Sequence, residues 1–242
     1  MRILILTQHF TPEVTAARSR LHPIAELLAE RGHEVEVLTA VPNHPEGVIQ
    51  DGFRGKVVVR REMDGFRVRY VWVRTSPRKT MWTRLAFYGS YAVMATLAGF
   101  PGRRPDVIFA SSPPLPVAAA ARALAIRHRA PWVMDVRDIW PEIAVVLGEL
   151  TDERMIRAAE RLERHLYDSA AQIVTVTDAF RSDIGERTED PGKISVVRNG
   201  TTRLWLGMSE TNVDRTELGM PDDRFVLTYA GNVGIAQGLE AA

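Results

Sequence analysis

The sequence predicts an α/β protein built on a doubly wound, mostly parallel sheet with a β-hairpin insertion. Three observations lead there. Residues 1–40 run strand, helix, strand. Strands and helices then alternate along most of the chain, the pattern of a parallel sheet covered by helices. One Asp-Gly pair between two alternating runs places a hairpin inside that order.

Each element has its own signal. Arg2 to Thr7 is a short apolar run that ends in a polar loop, as a buried strand does. Over Ala17 to Arg31, Leu21, Ile24, Ala25, Leu27 and Leu28 recur at helical spacing, and Gly32 follows as a stop. Glu34 to Leu38 is the next strand. A strand–helix–strand unit this short implies parallel pairing through a right-handed crossover. Val57 to Arg61 and Phe66 to Val73 alternate with period two around Asp64-Gly65. Met81 to Gly99 is a helix, Val107 to Ala110 a strand, Pro116 to His128 an Ala-rich helix and Trp132 to Val136 a strand. Thr151 or Asp152 caps a helix running to about Ala170, whose core stripe is Met155, Ala159, Leu162, Leu166 and Ala170. Gln172 to Val176 is a strand, Asp178 to Glu186 a helix and Ile194 to Val197 a strand.

The same reading divides the chain. Residues 1–200 form one α/β domain. Residues 201–224 are polar and aperiodic, with Gly207, Gly219 and Pro221, and read as a linker. Residues 225–242 read as the first strand and glycine loop of a second domain, cut short where the chain stops.

Composition narrows the function. Of 242 residues, 45% are hydrophobic, enough for an ordinary core. Lys plus Arg is 31 and Asp plus Glu is 30, a net charge of +1, so a general nucleic-acid binder is not expected. The absence of cysteine excludes a disulfide scaffold, a thiolate metal site and a cysteine nucleophile. The histidines show no HExxH spacing, and no metal site is expected. The apolar run Ile3 to Leu6 is too short for a signal-peptide core.

Leu85 to Gly102 carries no charge, but Gly89, Ser90, Thr96, Gly99, Pro101 and Gly102 dilute it. It reads as a buried or membrane-surface helix rather than a span. Arg74, Arg78, Lys79, Arg84, Arg103 and Arg104 flank it, with no acidic residue between Val73 and Pro105. That pattern suits docking on an anionic membrane surface, with Arg78, Lys79 and Arg84 as contacts.

In a doubly wound sheet, polar ligand contacts gather beyond the carboxyl ends of the strands. The loop after the first strand holds Glu13, Thr15, Arg18 and Arg20 but no glycine, so it is not a dinucleotide fingerprint. Arg20 is the better candidate for gripping an anion, and Arg18 reads as solvated. Pro42-Asn-His-Pro-Glu-Gly47 makes a stiff polar loop. His44 there is either an acid–base group or a solvated loop residue. Ser111 and Ser112 read as helix caps, with no GxSxG elbow. Asp135-Val-Arg-Asp-Ile-Trp-Pro141 is the densest feature. Its charges serve either ligand contacts or an ion pair of Arg137 with Asp135 or Asp138, and Trp140 is either a ligand wall or core filler. Gly231-Asn232-Val-Gly234-Ile-Ala-Gln237-Gly238 has the strand-then-glycine form of a phosphate loop without the Lys-Ser/Thr ending of an NTPase.

Taken in order, these motifs resemble the N-terminal domain of a family 4 glycosyltransferase of the GT-B fold, in the branch that builds bacterial surface polysaccharides. The resemblance rests on Pro12-Glu13-Val14 with Arg20, Arg31-Gly-His-Glu-Val35, Pro42-Asn43, Asp64-Gly-Phe-Arg-Val68, Arg104-Pro-Asp-Val107 and Ser112-Pro-Pro-Leu115. It rests above all on the Asp135–Pro141 run, Arg198-Asn-Gly200 and Tyr229–Gly238. It implies one Rossmann-like half of a two-domain enzyme with its active site in the cleft. It further implies retaining transfer from a nucleotide-sugar donor to a lipid-linked saccharide acceptor, without cofactor or obligatory metal, in the cytoplasm at the inner face of the plasma membrane. Glu13, Thr15, Arg20, Asn43, His44, Asp135, Arg137, Asp138 and Trp140 would then face the acceptor and the cleft. Gly231, Asn232, Gly234, Gln237 and Gly238 would face the donor. The sequence departs from that pattern at Thr15, where members of the family often carry glycine at or next to this position, and at Thr201-Thr202, where many carry aspartate. The E-x7-E carboxylates of the second domain are absent, so no catalytic residue is assigned and the chain by itself is expected to be inactive. The alternative is a non-catalytic α/β binding module or a decayed gene fragment.

Overall fold

The computed structural model describes residues 1–78, 80–148 and 150–200, together with 219, 220, 223, 225–231, 238 and 239. The chain divides into two units, Met1–Asn199 and Gly200–Ala242.

The first unit carries eight strands and six helices among its described residues. In order they are β1 (Arg2–Leu6), α1 (Ala16–Glu30), β2 (Glu34–Ala40), β3 (Val58–Met63), β4 (Phe66–Val71), α2 (Met81–Gly99), β5 (Val107–Ser112), α3 (Leu115–His128), β6 (Trp132–Val136), α4 (Glu142–Val146), α5 (Glu153–Ser169), β7 (Gln172–Thr175), α6 (Asp178–Gly185) and β8 (Ile194–Val196). The sheet order is β3-β4-β2-β1-β5-β6-β7-β8. Only β3 runs antiparallel to its neighbour. The order changes direction at β1: β2 lies on one side of it and β5 on the other. Right-handed crossovers on the two sides therefore put helices on opposite faces.

Local chemistry explains the boundaries. The Thr15 hydroxyl caps α1 by accepting the Arg18 N–H, and Gly32 ends it at φ +82°. Asp64 and Gly65 both take positive φ, 47° and 80°, as a two-residue hairpin turn requires. Thr80 and Thr83 form a reciprocal capping box on α2. Asp152 caps α5 by accepting two backbone N–H groups.

Tyr91, Ala95 and Gly99 are the buried residues of α2; Gly99 lies against Leu124 of α3, and the Tyr91 hydroxyl donates to the Leu38 carbonyl of β2 at 2.8 Å. Among the described residues no helix is long and apolar enough to cross a membrane.

Two expectations are corrected. The core stripe of α5 does not run through Leu162, which is 36% exposed; the buried residues are Glu163, Leu166 and Tyr167. Glu163 is buried in place of Leu162 and has partners inside: the Tyr167 hydroxyl donates to it at 2.9 Å, and Arg187 lies 3.6 Å away. Satisfied in this way, a carboxylate can occupy a position that hydrophobic spacing alone reserves for leucine. In the second unit, Phe225–Ala230 forms no strand, and Phe225 and Leu227 are exposed. A strand exists through its ladder, and among the described residues nothing pairs with this segment.

Candidate functional site

Where the strand order reverses, the loops after β1, β2, β5 and β6 emerge at one edge of the sheet. Two charged clusters are built there.

The first is centred on Glu13, which is 4% exposed. Its Oε1 accepts the backbone N–H of Asn43 at 2.6 Å and of His44 at 2.7 Å. Its Oε2 lies 2.7 Å from His9 Nδ1. One carboxylate thus ties the loop after β1 to the loop after β2. A carboxylate only accepts, so in this contact His9 donates from Nδ1, which fixes the orientation of the ring. The His9 ring lies 5.4 Å from His44 and 6.0 Å from Phe87, centroid to centroid. Asn43 turns its side-chain amide back to the Val41 carbonyl at 2.8 Å. The sequence reading missed His9. Its only signal was a glutamate four residues downstream in a loop, a spacing that becomes a contact only when that loop turns.

A polar cavity of about 360 Å³ opens beside this cluster, lined by His9, Asn43, His44, Arg78, Arg84 and Tyr88 among others. Gly47 belongs to its wall with φ +69°; a Cβ there would lie 2.2 Å from the Ser76 carbonyl oxygen.

The second cluster is centred on Asp135, which is fully buried. Arg20 Nη2 donates to Asp135 Oδ2 at 2.6 Å and to Ser111 Oγ at 2.8 Å. Arg137 Nε lies 2.8 Å from Asp135 Oδ1. The Arg137 backbone N–H donates to the Ser112 carbonyl at 2.9 Å, and its Nη1 donates to Asn199 Oδ1 at 2.9 Å. Burial depresses the Arg20 pKa, and the neighbouring Asp135 charge opposes that shift.

Arg20 Nη2 is shared between Asp135 and Ser111, while its Nη1 is buried with no hydrogen-bond partner. One expectation is corrected. Ser111 and Ser112 are the last residues of β5 and cap nothing; α3 starts behind Pro114 without a side-chain cap. Thr15 spends its hydroxyl capping α1. The amide of Gln8, only 3% exposed, has no hydrogen-bond partner on either atom. It follows β1 directly, and the sequence reading did not single it out.

Asp138 and Trp140 differ from their neighbours. Asp138 is exposed and makes no hydrogen bond or ion pair among the described residues. Partial burial of its carboxyl nonetheless raises its pKa. Trp140 packs against the core and walls a second cavity of about 370 Å³, whose lining includes Leu85, Tyr88, Leu150 and Met155. The Asp135–Trp140 run therefore divides: Asp135 and Arg137 tie the loop together, Asp138 is exposed, and Trp140 lies between the core and the cavity.

Among the described residues, no group of three His, Asp or Glu is placed to hold a metal ion. Lys79, Asn232, Gly234 and Gln237 lie outside the described residues; Gly231 and Gly238 belong to the second unit.

A switch point in a parallel sheet, with polar groups at its carboxyl edge, is shared by many enzymes. The profile of the glycosyl transferase 4-like domain matches residues 15–200. The chain belongs to that family. This glycosyltransferase domain is 27% identical, over 99% of the chain and 61% of its counterpart, to the protein named colanic acid biosynthesis glycosyl transferase WcaI of Escherichia coli K12. It thus spans about six-tenths of the length of that relative. Among solved structures it is similar to sucrose-phosphate synthase of Thermosynechococcus elongatus, with a TM-score of 0.55 and 16% identity over 92% of this chain and 53% of that one. It is also similar to Anabaena HepE in complex with UDP-glucose, with a TM-score of 0.50 and 16% identity over 90% of this chain and 50% of that one. These structures share the fold of the first unit.

Proposed function

We propose that this glycosyltransferase domain is the acceptor-side half of an enzyme that transfers a sugar, with retention, from a nucleotide-sugar to a lipid-linked saccharide during surface-polysaccharide synthesis. The His9–Glu13 pair carries the reading. A buried carboxylate fixes the orientation of the imidazole, which in its neutral form would offer Nε2 to an acceptor hydroxyl in the neighbouring cavity. Asp138, unpaired at the end of β6, is the second group in reach of a polar substrate. The likeness to WcaI across nearly the whole chain supports a polysaccharide role. UDP-glucose bound to HepE supports a nucleotide-sugar donor, which Gly231, Asn232, Gly234, Gln237 and Gly238 would meet from the second unit. No cofactor or obligatory metal enters this scheme. The enzyme works in the cytoplasm at the inner face of the plasma membrane, held by Arg78, Lys79 and Arg84.

The test uses an enzyme of the relatives' full length with this chain as its N-terminal part. Transfer from UDP- and GDP-sugars to a lipid-linked saccharide is expected, and His9→Ala lowers kcat by about a hundredfold with donor binding unchanged. Absence of transfer to every such acceptor overturns the reading, and so does a His9→Ala enzyme with full kcat. Co-sedimentation of the enzyme with anionic vesicles, weakened by salt and by neutralising Arg78, Lys79 and Arg84, tests the membrane contact.

A further inference from the structure

The polar and apolar cavities adjoin. Arg84 and Tyr88, one turn apart on α2, line both. On one side of them stand the histidines of the loop cluster. On the other, the cavity runs between α2, Trp140, α4 and α5, lined by Leu85, Trp140, Leu150, Met155 and alanines of α4 and α5. Among the described residues its polar side-chain groups are the Arg84 guanidinium, the Tyr88 hydroxyl and the Trp140 indole N–H. At about 370 Å³ it is within the range of small-molecule clefts.

A cleft that is polar at one end and apolar at the other matches one kind of ligand: an amphiphile with an anionic or hydroxylated head and a hydrocarbon chain. The basic groups Arg78 and Arg84 line the polar end, which sets the charge of the head as negative. Two further residues mark the apolar end as facing a lipid surface. Trp82, beside the lining residue Met81, is 74% exposed; Val146, on the same short helix as the lining residue Ala144, is 73% exposed. An exposed tryptophan next to arginines is the composition of a membrane–water interface.

We propose that the apolar cavity bounded by α2, Trp140, α4 and α5 is the binding site for the first segment of the acceptor's hydrocarbon chain, with the phosphorylated head of the same molecule at Arg84 and Arg78. The chain is drawn from the membrane and lies against Trp140 while the saccharide end reaches His9. This rests on the acceptor-side reading above. It adds that chain length, and not the head alone, sets acceptor affinity, because each methylene taken from water into the cavity adds to binding.

The experiment compares two soluble probes, farnesyl diphosphate below its micelle concentration and dimethylallyl diphosphate, by calorimetry with the full chain. Farnesyl diphosphate is expected to bind at least tenfold more tightly. Ala159→Trp, which fills the cavity, should remove that difference while leaving the short probe's affinity within about twofold; Ala158→Leu serves the same purpose with a smaller side chain should the tryptophan variant fail to fold. A spin label at the chain end should broaden the Trp140 indole N–H signal selectively. Equal affinity for the two probes, or a preference untouched by both variants, overturns the chain site and leaves the acceptor-side reading standing. Binding of neither probe overturns both. Chain self-association that depends on Trp82 and Val146 and is unaffected by farnesyl diphosphate assigns the cavity to a protein partner and overturns the proposal.

Discussion

Arg20 Nη2 lies 2.6 Å from Asp135 Oδ2, a contact that closes across 115 residues of sequence. It joins the first helix to the sixth strand, and Arg137 completes it from the other side of the carboxylate. Two guanidiniums sharing one fully buried carboxylate leave no spare negative charge. Removing the carboxylate is therefore expected to cost far more than removing the whole set, since it strands two partly buried cations. Asp135→Asn should lower stability by about 3 kcal/mol in urea unfolding. The triple change Arg20→Met, Asp135→Leu, Arg137→Met should recover most of that. A loss below about 1 kcal/mol for Asp135→Asn would show that the trio is not a structural tie.

Glu13 holds two loops with three hydrogen bonds, two of them to the backbone N–H groups of Asn43 and His44. In Glu13→Gln the amide nitrogen either faces a backbone N–H, leaving that donor without an acceptor, or faces His9 Nδ1 and forces the ring to move its proton to Nε2. The expected loss is about 1–3 kcal/mol. Amide exchange at Asn43 and His44 should accelerate more than exchange in the core strands β1 and β5. Uniform acceleration across the sheet would refute the local role.

Gly47 takes φ +69°, and its missing Cβ would lie 2.2 Å from a backbone oxygen of Ser76. Neither the conformation nor the contact tolerates a methyl group. Gly47→Ala should therefore destabilise by more than about 1 kcal/mol and change the shape of the polar cavity, whereas Gly55→Ala, with a positive φ but open space, pays for conformation alone. Equal melting temperatures for the two variants would count against the close approach.

Glu163 gives a pH prediction with a definite sign. Burial raises its pKa, and the Tyr167 hydroxyl and Arg187 oppose that only partly. A carboxyl whose folded pKa is raised favours the fold in its protonated form. Stability from this group is present below the unfolded value of about 4.3 and is lost as pH rises through the folded value. Glutamine keeps the acceptor for Tyr167 and removes the charge, while Arg187 retains Glu142 and Asp183. Glu163→Gln is therefore expected to gain roughly 1 kcal/mol at pH 7 and nothing below pH of about 4. Urea midpoints measured across pH would show the reverse trend if Arg187 controlled the carboxylate.

The order of elements was legible because its signals are local. The 3.6 and 2.0 periods, the Asp64-Gly65 turn, the Gly32 stop and the Asp152 cap each lie within a few residues of what they specify. The site was legible only in part. The Asp135–Trp140 run stood out by charge density after an apolar strand, but which of its charges are neutralised inside was not readable. His9, Gln8 and Glu163 were missed for one reason. A lone histidine, glutamine or glutamate has no pattern of its own, and its meaning comes from partners that folding brings to it.

By itself the sequence determined an α/β chain with a parallel sheet, a hairpin at one edge and polar loops after its buried strands, because period, turn chemistry and the handedness of crossovers leave few other arrangements. Only the tertiary structure decided which polar groups are paired with one another and which are left exposed. The register that sets Ser111 beside Asp135 brings both within reach of Arg20 and spends them. The turn after β1 gives Glu13 to His9 and to the Asn43 and His44 amides, and the packing of α2 against the Trp140 loop leaves an apolar cavity next to a polar one. Whether a charge is neutralised depends on distances of a few ångströms between groups far apart in the chain, and no local pattern encodes those distances.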